Sequence, residues 1–323
     1  MLYAVHTSRE RDSLEVITMN PLIGIALVLA ATLAFTLMGA LVRYLGQSVP
    51  LGELVFMRSF FALVPLLAMI AWRNELRTAL RTSHPFAHFS RSMTGVAAMF
   101  MNFAAFTLLP LADATAIGFA APIFTVVLAA LVLGEVVRIR RWTAVAVGFI
   151  GVLVMLSPYV GNTPRGVGST LGAFLALAGA FTVAAAMTQV RHLSRTESTA
   201  SLVFYFSIVC SLCGLATIPW GWVMPTVNEL LLMVAMGFLG GIGQMLITES
   251  YRHASASVVA PFAYSAMPYS MVIGYVWFGE VAESIVLVGA AIVIGAGLFV
   301  IWRERKLGID RTEEKRAAGP PPG

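Results

Sequence analysis

The feature that most restricts this chain is an apolar segment that occurs twice. Leu111 to Glu135 reads LADATAIGFAAPIFTVVLAALVLGE, and Ala254 to Glu280 reads ASASVVAPFAYSAMPYSMVIGYVWFGE. Each opens on small residues, carries proline in its interior and closes on Gly-Glu. Self-similarity at a long period, here about 145 residues, marks an internal duplication. The similarity extends further: Gly24 to Arg43 aligns without a gap on Gly172 to Arg191, and the same offset sets Leu54-Val55-Phe56 on Leu202-Val203-Phe204. After a shorter loop, Gly95 falls on Gly237 and Asn102 on Gln244.

Hydrophobic residues make up 59% of the 323 residues and charged residues 11%, against about 45–50% and about 25% in soluble domains. Such a chain is an all-α integral membrane protein, and at about 20 apolar residues per crossing it has room for about ten transmembrane helices. Apolar runs fall at 21–42, 51–72, 92–110, 113–133, 142–157, 169–190, 201–220, 229–250, 256–278 and 285–302. The expected organisation is therefore a disordered lead over 1–19, a first five-helix repeat over 21–157 and a periplasmic linker over 158–168. A second five-helix repeat over 169–302 and a disordered cytoplasmic tail over 303–323 complete it. Because five is odd, the two halves cross in opposite senses, the 5+5 inverted-repeat arrangement of secondary transporters.

Positive charge sets the orientation. With the N-terminus inside, Arg43 and Arg165 are the basic residues left in outside connections and Arg58 lies within a span, while all others of the 21 fall on the inside. Both termini are thus expected in the cytoplasm of a multi-pass protein. Residues 1–19 lack the apolar stretch of a signal peptide, and Met19 offers a second translation start immediately before the first apolar run.

Several chemistries are excluded or disfavoured. Lysine occurs only at 306 and 315, so no GxxxxGK[ST] phosphate loop exists and an ATP-driven pump on one chain is excluded. Cys210 and Cys213 stand in an apolar helix without a histidine and read as packing residues. His6, His84, His88, His192 and His253 all fall in polar connections or termini, which argues against a metal site or an intramembrane histidine relay. No cofactor and no nucleic-acid partner is called for, and no H-E-x-x-H, paired aspartates or serine-histidine constellation points to an enzyme.

The doubled pattern, the LADA…P…LGE segment followed by RRWTAVAVGFIGVLVMLSP, and the later YRHASASVVAPF…GE segment resemble the drug/metabolite transporter superfamily, specifically its EamA-type branch. The resemblance covers about residues 21–302. It implies ten helices around a central cavity, no nucleotide-driven step, and a path lined by the first four helices of each half with the fifth outside. LPLADATAIGFAAPIF and YRHASASVVAPF are further similar to a subgroup of bacterial inner-membrane proteins that includes riboflavin importers, although relatives of nearly the same signature are linked to S-adenosylmethionine and amino acids.

Residues with chemistry in the apolar runs are few. Arg58 sits about 10 Å into the second run at 1.5 Å per residue, and its repeat counterpart is Phe206. It reads as an anchor for a substrate anion or carbonyl, or as an arginine that snorkels to the headgroups or pairs with Glu53. Asn102 and Gln244 are equivalent amides that either line a cavity or bond helix to helix. Phe103, Phe106, Tyr264 and Tyr269 are candidate contacts for a planar substrate, against the alternative of core or lipid-facing rings. Pro122, Pro261 and Pro268 remove amide donors and are candidate helix breaks. Glu135 and Glu280 read as structural ends of their segments, and Gly148, Gly151, Gly237 and Gly241 as points of close helix packing.

The expected function is an inner-membrane secondary transporter of a small organic metabolite by alternating access. Riboflavin uptake is the first expectation. An amino-acid or S-adenosylmethionine transporter or exporter is the alternative, and a non-transporting receptor or scaffold a distant one. Its partners are the substrate and the lipid bilayer, and a homodimer is compatible with the sequence. Glu249, with Arg252 and His253 at i+3 and i+4, reads either as part of a local ion pair or as a proton-coupling carboxylate. If it couples protons, transport by Glu249→Gln loses its dependence on a pH gradient. An unchanged dependence in that variant removes the coupling role.

Overall fold

A computed structural model describes residues 20–72, 82–132, 139–160, 166–194 and 196–317. Among these the regular structure is helical throughout. The elements are α1 (Pro21–Leu45), α2 (Leu51–Trp72), α3 (Pro85–Leu108), α4 (Leu111–Gly118), α5 (Ala121–Val132) and α6 (Ile139–Leu156). There follow α7 (Gly166–Leu193), α8 (Thr199–Leu215), α9 (Val227–His253), α10 (Ala256–Val259), α11 (Ala266–Phe278) and α12 (Ser284–Ala317).

The expectation of ten transmembrane helices is corrected. Among the described residues seven segments are long and apolar enough to cross a membrane: Pro21–Leu45, Leu51–Trp72, Leu111–Val132, Trp142–Tyr159, Val167–Leu193, Val227–His253 and Ser284–Arg303. The run at 92–110 belongs to α3, whose first half carries His88, Ser90, Arg91, Ser92 and Thr94 and dilutes its hydropathy. The run at 201–220 yields only the 17-residue α8. The run at 256–278 divides into the four-residue α10, a 3-10 stretch over Ala260–Ser265 that contains Pro261, and the 13-residue α11. The expectations for Glu135 and for the start at Met1 or Met19 lie outside the described residues.

Helix packing follows the sequence duplication. The most extensive contacts join α1 to α9, α3 to α7, α6 to α12, α2 to α9 and α2 to α8, followed by α3 with α8 and α5 with α7, and α11 also packs on α1. Exchanging each helix for its counterpart turns α1–α9 into α7–α3, α2–α9 into α8–α3, and α5–α7 into α11–α1. It returns α2–α8 and α6–α12 to themselves.

Glycines set the closest of these crossings. A Cβ on Gly237 of α9 would stand 2.9 Å from the Met57 carbonyl oxygen of α2, and one on Gly241 would stand 2.9 Å from that of Ala62. Pro65, inside α2, lies against Gly241. The α6–α12 crossing is equally tight, a Cβ on Gly151 coming within 2.9 Å of the Gly289 carbonyl oxygen. On the outer face of the bundle Phe60, Val64 and Leu67 of α2 and Val147, Ile150 and Leu153 of α6 are exposed, as side chains that face lipid should be.

Helix ends are closed by side chains. Asn20 caps α1, accepting the Leu22 amide at 3.1 Å ahead of Pro21. Thr226 and Glu229 form a capping box at the start of α9, and Ser48 donates to Glu229 at 2.6 Å. The Gly-Glu pair that ends the second copy has two separable tasks. Gly279, at φ 66°, terminates α11 in the left-handed region that glycine enters without strain. Glu280 then forms an ion pair with Arg43 in the last turn of α1 and accepts the Leu111 amide at 2.9 Å. Arg43 also donates to the carbonyls of Phe106, at 3.0 Å, and Leu109. One ion pair thereby satisfies orphan groups at the end of α3 and the start of α4.

A second polar knot joins the α7–α8 connection to the start of α3. Glu197, only 4% exposed at its side chain, accepts Thr82 Oγ1 at 2.9 Å and the Ser83 amide at 3.0 Å. His84 Nδ1 lies 3.3 Å and His88 Nε2 3.4 Å from its two oxygens. His88 is not in a polar connection as expected: it lies in α3, 2% exposed, its ring 4.8 Å from that of Tyr205. Burial pushes the Glu197 carboxyl up, but these hydrogen bonds outweigh it and hold the group down at about 2.

Two outcomes are expected. Gly237→Leu must separate α9 from α2, and a strain of about 1–3 kcal/mol should lower the melting temperature of the detergent-solubilised protein; an unaltered melt would show that the crossing tolerates a side chain. For Glu197 the folded value lies below the ordinary 4.5, so its stabilisation is complete above about pH 4.5 and is lost as pH falls towards 2. Glu197→Gln should melt lower than the parent at pH 7, and the gap should close on acidification through that window. A gap independent of pH would mean that the ionised carboxylate is not what stabilises this corner.

Candidate functional site

Two arginines, one on α2 and one on α3, lie largely buried in the packing of α2, α3, α8 and α9. Arg58 comes seven residues after the start of α2 and Arg91 six after the start of α3, so each lies about 9–10 Å in from its helix end. Arg58 lies beside Gly240 of α9 and Arg91 over Phe206 of α8. Met38, Leu54, Val55, Val96, Met99 and Phe103 belong with Cys210 to one buried apolar cluster.

Each arginine has a place made for it. The missing side chain of Gly240 leaves room for Arg58: a Cβ there would stand 3.0 Å from the Nε and 3.0 Å from Met38 Sδ. Arg91 lies over the Phe206 ring with its guanidinium carbon 4.3 Å from the centroid, a cation–π contact that fixes the plane of the group. Gly95, one turn further along α3, admits the same ring.

The polar groups at this point are donors without acceptors. Arg58 Nε, Arg91 Nε, Arg91 NH1 and Ser92 Oγ are buried and lack hydrogen-bond partners. Among the described residues neither arginine makes an ion pair. At 8% exposure Arg58 does not snorkel to a surface. Glu53, considered from the sequence as its partner, instead accepts the Val223 amide at 3.2 Å. A buried charge left uncompensated costs several kcal/mol, so the arrangement suits an anionic or strongly accepting guest.

The other residues singled out in the sequence fall in several places. Phe103 and Phe106 pack in or against the cluster around Cys210, and Phe106 also touches two neighbouring clusters. Asn102 turns away from it: its amide donates to the Ala98 carbonyl at 2.7 Å and packs on Gly179 of α7, where a Cβ would come within 3.0 Å. Gln244 is half-buried on α9, and its backbone carbonyl accepts the Thr248 hydroxyl at 2.7 Å. Glu249 lies near the end of α9, 3.7 Å from Arg252 and 3.6 Å from His253.

Tyr264 lies in the 3-10 stretch ahead of α11, edge-on to Phe119 with ring centroids 5.1 Å apart. Phe119 occupies the matching interruption between α4 and α5, so the two broken segments touch at their breaks. Ser265 and Thr32 of α1 share a hydrogen bond of 2.8 Å beside them. Pro122 follows the first interruption, Pro261 lies within the second, and Pro268 is the third residue of α11, where a proline disturbs no helical hydrogen bond. Tyr269 is its half-buried neighbour. Among the described residues no three His, Cys, Asp or Glu are grouped to hold a metal.

Arg91 and Phe206 are the site residues that sequence reasoning did not single out. The apolar run begins at 92, which leaves Arg91 in the preceding connection. The overlooked signal is Pro85, which favours the first turn of a helix and starts α3 two turns earlier.

The EamA-like transporter family model matches residues 22–157 and 170–302. The chain belongs to the EamA-like transporter family. It is accordingly a secondary transporter of the drug/metabolite transporter superfamily, a multi-pass protein of the bacterial inner membrane that carries a small metabolite, and not an enzyme. This EamA-like transporter is 30% identical over 285 residues to an S-adenosylmethionine uptake transporter of Rickettsia prowazekii, covering 88% of this chain and 94% of the relative. It is 28% identical over 274 residues to the pseudopaline exporter CntI of Pseudomonas aeruginosa, covering 84% and 94%. A riboflavin transporter of Vibrio cholerae is 26% identical over 292 residues, covering 89% and 96%.

Proposed function

We propose that this EamA-like transporter moves S-adenosylmethionine or a closely related amino-acid derivative across the inner membrane by alternating access, with both ends of the chain in the cytoplasm. The observation that carries the substrate class is the 30% identity, over nearly the whole of both chains, to an S-adenosylmethionine uptake transporter. Riboflavin, the first expectation from sequence, is supported by relatives of lower identity. The cytoplasmic placement of the termini rests on the distribution of arginine and lysine.

The architecture is compatible with alternating access. Packing pairs exchange under the duplication, and two interrupted segments meet at the Phe119–Tyr264 contact. Interruptions of this kind expose backbone groups where protein or a water-filled path can satisfy them, and they supply places where a segment can bend. The Arg43–Glu280 ion pair closes one end of the bundle by joining the end of α1 to the end of α11.

Purified protein reconstituted into liposomes should accumulate labelled S-adenosylmethionine, with unlabelled S-adenosylmethionine competing better than riboflavin. Accumulation of riboflavin without S-adenosylmethionine would reverse the order of the two substrates. Binding without accumulation of either would point to a receptor.

A further inference from the structure

We propose that Arg58 holds a carboxylate of the transported molecule in the space that Gly240 leaves open between α1, α2 and α9. The inference rests on the amino-acid reading above and deepens it by naming the group recognised and the residue that recognises it.

The place is defined by contacts on three helices. A Cβ on Gly240 of α9 would stand 3.0 Å from Arg58 Nε, 3.5 Å from its guanidinium carbon and 3.0 Å from Met38 Sδ of α1. Arg58 is more than nine-tenths buried and its Nε has no hydrogen-bond partner. Glu53, the acid on its own helix, is engaged with the Val223 amide. Gln244 stands one turn beyond Gly240, a spacing of about 5–6 Å between Cβ positions, on the α9 face that Gly237 and Gly241 lay against α2. The hydrogen bond made at Gln244 runs to its backbone carbonyl, which leaves the side-chain amide available. A guanidinium offers its N–H donors in a planar fork that matches the two oxygens of a carboxylate, and the charge of that guest removes the cost of burying an unpaired cation. The neighbouring amide is donor and acceptor at once, which suits the ammonium that an amino acid carries on the same carbon as its carboxylate.

The duplication adds an independent reason. The α2–α9 crossing has its counterpart in α8–α3, where the repeat sets Phe206 opposite Arg58, Ala98 opposite Gly240 and Asn102 opposite Gln244. At that second crossing all three positions are spent on packing. Phe206 fills the space beside Gly95, Ala98 is buried, and the Asn102 amide donates to the Ala98 carbonyl at 2.7 Å. At the α2–α9 crossing the ring is replaced by a guanidinium, the alanine by a glycine that makes room for it, and the amide is not turned back onto its own helix. The fold thus closes this crossing with apolar residues in one copy, and the charge and the space in the other are not needed to hold the helices together. The sulfonium of S-adenosylmethionine would be directed away from Arg58 by the same field that holds the carboxylate.

The test compares uptake of S-adenosylmethionine and of decarboxylated S-adenosylmethionine, which lacks only the carboxylate, by full-length protein in liposomes. The parent should prefer the carboxylate form by roughly 10- to 100-fold in uptake efficiency, the size expected of a desolvated charge-assisted contact. Arg58→Met, which keeps an unbranched stem without the charge, should lose most of that preference through slower uptake of S-adenosylmethionine, while uptake of the decarboxylated compound changes little. Arg58→Lys, which keeps the charge without the fork, should fall between the two and serves where the methionine variant does not fold. A parent without preference, or an Arg58 variant with the parent's preference, overturns the site.

If the parent takes up neither compound, the substrate reading fails and the site is judged separately by thermal stabilisation with succinate and with succinamide. Stabilisation by succinate alone, lost in the Arg58 variants, upholds a carboxylate site for another substrate. No stabilisation of the parent, equal stabilisation by both, or stabilisation by succinate that the Arg58 variants retain, overturns it.

Discussion

In hydrocarbon, helices gain little by hiding apolar side chains from lipid, so a bundle is held where backbones come close enough for dispersion and polar contacts to add up. Here that closeness is supplied by glycine. Gly237 and Gly241 let α9 lie on the backbone of α2, and Gly151 and Gly289 face each other between α6 and α12. The same crossing decides where Arg58 can be. With α9 drawn onto α2, Gly240 is brought to the arginine, and its absent side chain becomes the space that the guanidinium fills. Packing and site are therefore one feature of α9: a bulkier helix would move away from α2 and open the pocket around the charge.

Close packing also limits where the backbone can be interrupted. The break between α4 and α5 and the 3-10 stretch before α11 both interrupt regular helix. At the first, the Phe119 and Ala120 amides turn to the Ala116 and Ile117 carbonyls. Phe119 and Tyr264 cover one another at the two breaks, and at the separate α3–α4 junction Glu280 takes the Leu111 amide while Arg43 takes carbonyls at the end of α3. A charged pair is expensive to bury, but here each charge also satisfies backbone groups that would otherwise be orphaned, which explains why an arginine and a glutamate occupy helix ends that lipid would not favour.

The duplication, the family and the packing glycines were legible in the sequence because they reside in local identity and spacing. The task of Glu280 as the end of its segment was legible for the same reason. The number of crossing segments was not. A run of apolar letters does not distinguish one continuous helix from the division of 256–278 by Pro261, nor from α3, where Pro85 begins a helix that carries two polar turns before the apolar ones. Arg91 was hidden by that same boundary. Glu197 was invisible as well, because its partners Thr82, Ser83, His84 and His88 stand more than a hundred residues away and are brought to it only by the packing of α3 against α7 and α8.

The difference between a flavin and an amino-acid derivative can be reasoned from what the core leaves unengaged. The sequence-based preference for riboflavin supposed a cavity of aromatic rings with little charge. In the structure two of those rings have occupations: Phe103 is core and Tyr264 meets Phe119. Among the buried groups left without a partner are Arg58 Nε, Arg91 Nε and Arg91 NH1. A neutral planar ring could accept hydrogen bonds from such donors but brings no counter-charge, whereas a group with a negative charge brings both, and its attraction is strengthened in a low dielectric. The same physics gives a carrier a reason to change shape on loading: a buried arginine without a counter-charge favours arrangements that admit water to it, and a guest that brings an acceptor or a negative charge relieves that preference.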